Sequence, residues 1–244
     1  MRALSAAELL NVWERGLTQS PAERALTLLR AACADVSLES LKRLSVGERD
    51  ACLLTLREQT FGPQLWSVAS CSKCGEKLEM SFSAAELRVE VEPIATESLA
   101  LTVDGYELCF RLPNSLDMAA VADCRDLAAG RQLLIERCIS SAELNGQSVN
   151  VAQLPANIID VFAERLGELD PQGNLELTLL CPQCNHEWQS IFDIEAFLWK
   201  EITAWAIRIL REVHALASAY GWSEFDVLKM SHWRRQAYLE LASG

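Results

Sequence analysis

CSKC at residues 71–74 is matched 110 positions later by CPQC at residues 181–184. No other feature restricts the fold of this chain as much. Two thiols separated by two residues can point at one spot when the backbone between them turns tightly, so each stretch reads as half of a four-ligand site. The likeness extends beyond the cysteines. With a shift of 110, Gly75 falls on Asn185, Leu78 on Trp188 and Phe82 on Phe192. Gly and Asn are both types that tolerate a left-handed backbone. Extended segments flank each dithiol: QLWSVAS and LEMSF around the first, NLELTLL and QSIFDI around the second. The pattern predicts a split zinc ribbon, with Cys71, Cys74, Cys181 and Cys184 as the four ligands of one structural zinc ion. The intervening residues 75–180 are a long insertion for a ribbon, but loop-closure cost grows slowly with length. Lys73 and Lys77 would partly offset the double negative charge of a zinc–tetrathiolate centre.

Other readings of the same residues stand beside this one. CxxC also suits disulfide exchange, although no thioredoxin-like βαβ pattern surrounds either pair. A redox-regulated chaperone that releases zinc on oxidation would use the same thiols. Two separate sites would need further ligands, and His186, two residues after Cys184, is the nearest candidate. A catalytic zinc would keep one position open for water, and four thiolates leave none. The remaining cysteines, Cys33, Cys52, Cys109, Cys124 and Cys138, read as small buried hydrophobes.

Charge and composition exclude several classes. The 244 residues carry 34 acidic and 22 basic side chains, a net charge of −12. That balance opposes sequence-independent nucleic-acid binding and suits a basic protein partner. With 50% hydrophobic and 23% charged residues, the chain has material for a core. No apolar run reaches membrane-spanning length, since FLWKEITAWAIRIL (197–210) is broken by Lys200, Glu201 and Arg208. The N-terminus lacks the apolar core of a signal peptide. A cytoplasmic location follows, where paired CxxC spacings favour metal over disulfides. There is no GxGxxG, P-loop, G-x-S-x-G or H-E-x-x-H, and only three histidines, so an enzyme and a small-molecule substrate are not expected.

Along the chain, an α+β organisation emerges. Residues 1–62 read as helical, with S-x-x-E capping boxes at Ser5/Glu8, Ser20/Glu23 and Ser45/Glu48. Residues 63–92 form the first ribbon half. A weakly patterned stretch around Pro93 opens an insertion, 93–172. Within it, Asp104-Gly105 between alternating runs predicts a type I′ hairpin over 99–113. Helical pattern follows from about Ser115 through LAAGRQLLIERCI and again over 155–169. Residues 173–193 are the second ribbon half, and 194–244 are C-terminal helices packed on it. The first of these helices is long, roughly 194–219, with Gly221 as its stop. The C-terminal aromatics read mostly as core that seats this helix, with Trp199, Trp205, Trp222 and Trp233 as candidate partner-binding anchors.

Several runs resemble a known family. LSVGERDACLLTLREQTFG (44–62), FRLPNSLDMAA (110–120) and LLIERCI (133–139) lead to CPQCNHEW, FDIEAFLWKEI and REVHALASAYGWSEFDVLKMSHWRRQAYLEL. Together they are similar to the baseplate proteins of contractile-tailed phages and phage-tail-like injection systems, a family described as baseplate hub assembly chaperones. The resemblance spans about residues 40 to 242 and is most specific from Cys181 to Leu241. It implies a non-enzymatic protein that binds baseplate hub or wedge proteins during assembly, in the cell or associated with the particle. A permanent structural component of the baseplate is the first alternative, and a zinc-ribbon adaptor or redox-regulated chaperone the next. The zinc site is read from the cysteines themselves, not from the resemblance.

Overall fold

The structure, a computed structural model, describes residues 1–90 and 98–243; the stretch around Pro93 lies outside them. The architecture mixes helices with small antiparallel sheets. Four helices open the chain: α1 (Ala6–Gly16), α2 (Pro21–Ala32), α3 (Leu38–Arg43) and α4 (Val46–Phe61). All three expected capping boxes are formed, each with the serine accepting from the N3 backbone and the glutamate reaching back to the cap. This satisfies amide groups that a helix start otherwise leaves bare. The apolar faces of these helices converge on Leu28, Leu29, Leu53, Leu54 and Leu56, all essentially inaccessible.

Two hairpins follow the same plan at opposite ends of the insertion. The first pairs β1 (Gln64–Ser70) with β2 (Lys77–Ser83), and the second pairs β7 (Glu176–Leu180) with β8 (Glu187–Ile191), both antiparallel. Leu65 of β1 enters the same core as the N-terminal helices. So do Ile194, Leu198 and Ile202 of α8 (Ile194–Tyr220), the long helix that leaves β8. Gly221 caps α8 at φ 71°, the left-handed conformation a glycine adopts without strain. Helices α9 (Glu224–Leu228) and α10 (His232–Ser243) fold back on its end. Among the described residues, no helix is long and apolar enough to cross a membrane.

The insertion has a core of its own. A four-stranded antiparallel sheet runs β3 (Leu99–Val103), β4 (Tyr106–Phe110), β5 (Ile139–Leu144) and β6 (Gln147–Ser148), in that order. Helices α5 (Ser115–Ala122), α6 (Leu127–Cys138) and α7 (Ala156–Leu169) complete it. Phe110 and Phe162 meet edge to face at 5.1 Å, among Leu108, Ile135 and Ile158. Asp104 and Gly105 have φ of 49° and 79°, as the expected type I′ turn requires. A second such turn at Asn145-Gly146, φ 50° and 78°, joins β5 to β6. The expected run of helix ends one residue early, because Ile139 already belongs to β5. Cys109 is exposed on the outer face of β4, whereas Cys138 is buried as expected.

The insertion docks on the start of α4. Asp170 accepts from Ser45 Oγ at 3.0 Å and from the Gly47 backbone at 2.8 Å. A side chain at Gly47 would overlap the Asp170 carboxylate, so only glycine permits this approach. On the other side, the Val46 amide donates to the Pro113 carbonyl at 2.9 Å.

Nearby carboxylates sit under strain. Glu195 is buried at the start of α8, and its Oε1 has no hydrogen-bond partner among the described residues. Burial, then the adjacent Asp193, raises its pKa to about 7, against partial relief from Arg24 and Arg49; neighbouring Asp50 adds to the rise. Burial likewise lifts Asp50 to about 6 despite its contact with Arg49. A folded-state pKa above the unfolded value means that the native chain binds protons first. Stability should therefore rise as pH falls from about 7 towards the ordinary carboxylate value of 4.5. Thermal unfolding scans of Glu195→Gln should show a flatter pH slope and a higher Tm near pH 8 than the parent chain.

Candidate metal centre

Each CxxC stretch is a turn whose conformation its sequence dictates. In the first, the Gly75 amide donates to the Cys71 carbonyl at 2.9 Å and the Cys71 amide to the Glu76 carbonyl at 2.8 Å. In the second, Asn185 donates to Cys181 at 2.9 Å and Cys181 to His186 at 2.9 Å. Gly75 and Asn185 both have positive φ, 77° and 52°. The position equivalent in the repeat is thus equivalent in backbone.

The two turns face one another. Cys71 Sγ lies 3.7 Å from Cys184 Sγ, and Cys74 Sγ lies 3.6 Å from Cys181 Sγ. The first cysteine of each turn meets the second of the other, which is the reciprocity of a local two-fold axis. Phe82 and Phe192, paired in the sequence repeat, also touch across it, edge to face at 5.6 Å. Leu78 and Trp188, the other matched pair, pack with Cys71, Cys181 and Cys184.

All four sulfurs fall within 4.8 Å of one another. A tetrahedral ion with metal–sulfur bonds of about 2.3 Å would set sulfur–sulfur edges of about 3.8 Å, close to the two shortest distances here. Cys71 and Cys181 are buried, while Cys74 is exposed and Cys184 half-buried, so the cluster sits at the tip of the paired hairpins. Burial acts to raise the Cys71 thiol, but the Cys74 and Lys73 amides and the sulfurs of Cys74 and Cys184 bring it down to about 6. The Glu76 amide acts to lower Cys74, yet burial and the sulfurs of Cys184, Cys181 and Cys71 push it up to about 12. Cys184 is raised as well, against the His186 amide that lowers it, by burial and the sulfurs of Cys181 and Cys71. Without a divalent cation, thiolate formation at one sulfur opposes it at its neighbours.

His186 is outside this group. Its Nε2 is hydrogen-bonded to Ser72 Oγ at 3.1 Å, and its ring stacks on Trp188 at 5.7 Å. That Ser72–His186 bond is a second tie between the hairpins. Nothing in the repeat marks it, because Ser72 falls opposite Pro182. Lys73 and Lys77 are exposed beside the cluster.

The four tryptophans proposed as anchors are not brought together. Trp199 is half-buried against Gly16, with the Arg24 guanidinium 4.6 Å from its ring centre. Trp205 packs against the main core. Trp222 stacks on Tyr220 at 4.5 Å and meets the edge of Tyr238 at 4.8 Å. Trp233 is 83% exposed, with the His232 ring tilted beside it at 6.2 Å.

With this geometry in hand, comparison with known proteins supplies the setting. The family model described as T4 bacteriophage base plate protein matches residues 7–199. The chain belongs to this family of phage baseplate proteins. The match takes in the N-terminal helices, both hairpins and the insertion, and it ends within α8. It therefore starts earlier than the resemblance in the sequence suggested, and stops short of the block to Leu241. Searches of curated proteins and of solved structures returned no match.

The turn geometry can be tested directly. Gly75→Ala forces a side chain into the left-handed region and should cost about 1–2 kcal/mol in urea unfolding. Asn185→Gly, at the equivalent position, should leave stability within about 0.5 kcal/mol or improve it.

Proposed function

We propose that this baseplate-family chain is a non-enzymatic protein-binding factor that assists assembly of the baseplate hub, held in shape by one structural zinc ion. The observation that carries the biological setting is the family match over residues 7–199. Support for the zinc comes from the four-sulfur cluster: Cys71, Cys74, Cys181 and Cys184 would bind it as thiolates. Bound there, zinc would neutralise charge and crosslink the two halves of a split ribbon; its binding energy would count as folding energy. Four protein ligands complete a tetrahedral shell, so no position remains for a reacting water. The partners proposed are hub or wedge proteins of the baseplate.

A second reading has its own support. The family is described by the particle part itself, which favours a component that stays in the baseplate. The two separate in one experiment: the tagged protein is pulled down early and late in particle assembly, and purified mature particles are analysed alongside. An assembly factor is expected with hub or wedge proteins early and absent from mature particles. Fixed stoichiometry in mature particles would replace it with the structural reading.

The metal reading is checked independently. Elemental analysis should find one zinc per chain, and Cys71→Ser or Cys181→Ser should each abolish tight binding. Two zinc ions per chain, or retention after Cys71→Ser, would defeat the shared site.

A further inference from the structure

We infer that the solvent-facing side of α8 is a docking face for an acidic amphipathic helix of a partner protein. The charges of α8 are sorted by side. Its three acidic residues are engaged within the fold. Glu195 is buried, Glu201 accepts from Arg57 at 2.7 and 2.8 Å, and buried Glu212 accepts from Arg235 at 2.8 Å. Its cations face solvent instead. Lys200, Ala204, Ile207, Arg208, Arg211 and His214 recur at helical spacing on one exposed side. Lys200, Arg208 and Arg211 have no ion-pair partner among the described residues.

The needs of the helix itself do not account for this arrangement. A merely solvated face, in a chain with 34 acidic and 22 basic residues, would carry both signs. Arg208 and Arg211, three apart, repel one another, and Ala204 stands where a glutamate would pair with Arg208. Both arginines lie more than two turns before the helix end at Tyr220, too far for its dipole to favour them.

The chemistry of the face selects what covers it. Three unpaired cations call for anions. Ile207, 43% exposed among them, calls for an apolar neighbour. Towards its C-terminal end the face opens into a groove of about 610 Å³ between α8 and α10, where Ala215, Ser218 and Ala219 leave room for close approach. A helix with carboxylates flanking an apolar stripe meets all three conditions. A nucleic acid meets only the first. Residues 200–244 carry six basic and five acidic side chains, so the net charge of −12 resides in the rest of the chain. A long polyanion meets that repulsion, whereas a short helix is attracted within the roughly 8 Å over which charge acts in physiological salt. The docking face deepens the protein-binding reading above and rests on it.

Site-specific photocrosslinking of the full chain in cells, during particle assembly, tests the proposal. With Ile207 replaced by p-benzoylphenylalanine, irradiation should link the chain to a helical protein segment in which Asp and Glu outnumber Lys and Arg. Mass spectrometry identifies the segment. Combining Arg208→Glu with Arg211→Glu should lower the yield at least about tenfold. Arg125→Glu, a charge reversal at an exposed position of the insertion, should leave it unchanged. Unchanged metal content and Tm of the purified variants verify folding. Crosslinks to nucleic acid, to a segment without acidic excess or to nothing would overturn the proposal, as would a yield indifferent to both arginines. Hub or wedge proteins retained in the early pull-down without a crosslink at Ile207 would overturn the docking face alone. Loss of both would remove the assembly reading as well.

Discussion

Two β-hairpins separated by the whole insertion bring four sulfurs within 4.8 Å of one another, and both hairpins are tied to the helical core at their other ends. An isolated two-stranded hairpin is marginal at best in water. Here each hairpin has a second one facing it, with Phe82 against Phe192 and the sulfurs at the tip. The far ends are anchored differently. β1 enters the helical core through Leu65, and β8 continues into α8, which enters the same core through Ile194 and Leu198. The paired hairpins therefore project from the helical body with one end seated in leucines and the other in thiols.

The insertion is tied to the helical body at two points well separated in sequence. Pro113 and Asp170, far apart in sequence, both dock on the first turn of α4. Its own sheet and helices enclose Phe110 and Phe162, so it adds a core rather than borrowing one. Asp117, fully buried, is held there by Arg111 at 2.5 Å and Arg137 at 2.8 Å. Removing one partner of such a group would leave an uncompensated buried charge.

Features written in a few adjacent residues were legible in the sequence. The capping boxes, the Asp104-Gly105 turn, the Gly221 stop and the repeat of Cys71–Gly75 in Cys181–Asn185 each depend on local backbone chemistry. Even the convergence of the two turns could be read, because the repeat implies it. Other features depend on distant contacts. LLIERCI reads as continuous helix, yet pairing with β4 pulls Ile139 into a strand. The Asn145-Gly146 turn carries the same signal as Asp104-Gly105 but was masked by the helical pattern before it. Cys109 alternates out of the sheet, which only the register reveals. Nothing local marks Gly47 as the seat of Asp170, or shows that Trp199 rests on Gly16 while Trp233 stays exposed.

The central claim is that one metal ion is held by sulfur from both hairpins at once. Zinc K-edge X-ray absorption on the purified chain tests it most directly. The account predicts a single shell of four sulfurs at about 2.3 Å and no nitrogen or oxygen neighbour. A shell containing a nitrogen at about 2.0 Å would contradict it by bringing in a ligand such as His186, and a shell of two sulfurs with oxygens would mean that the hairpins bind separately.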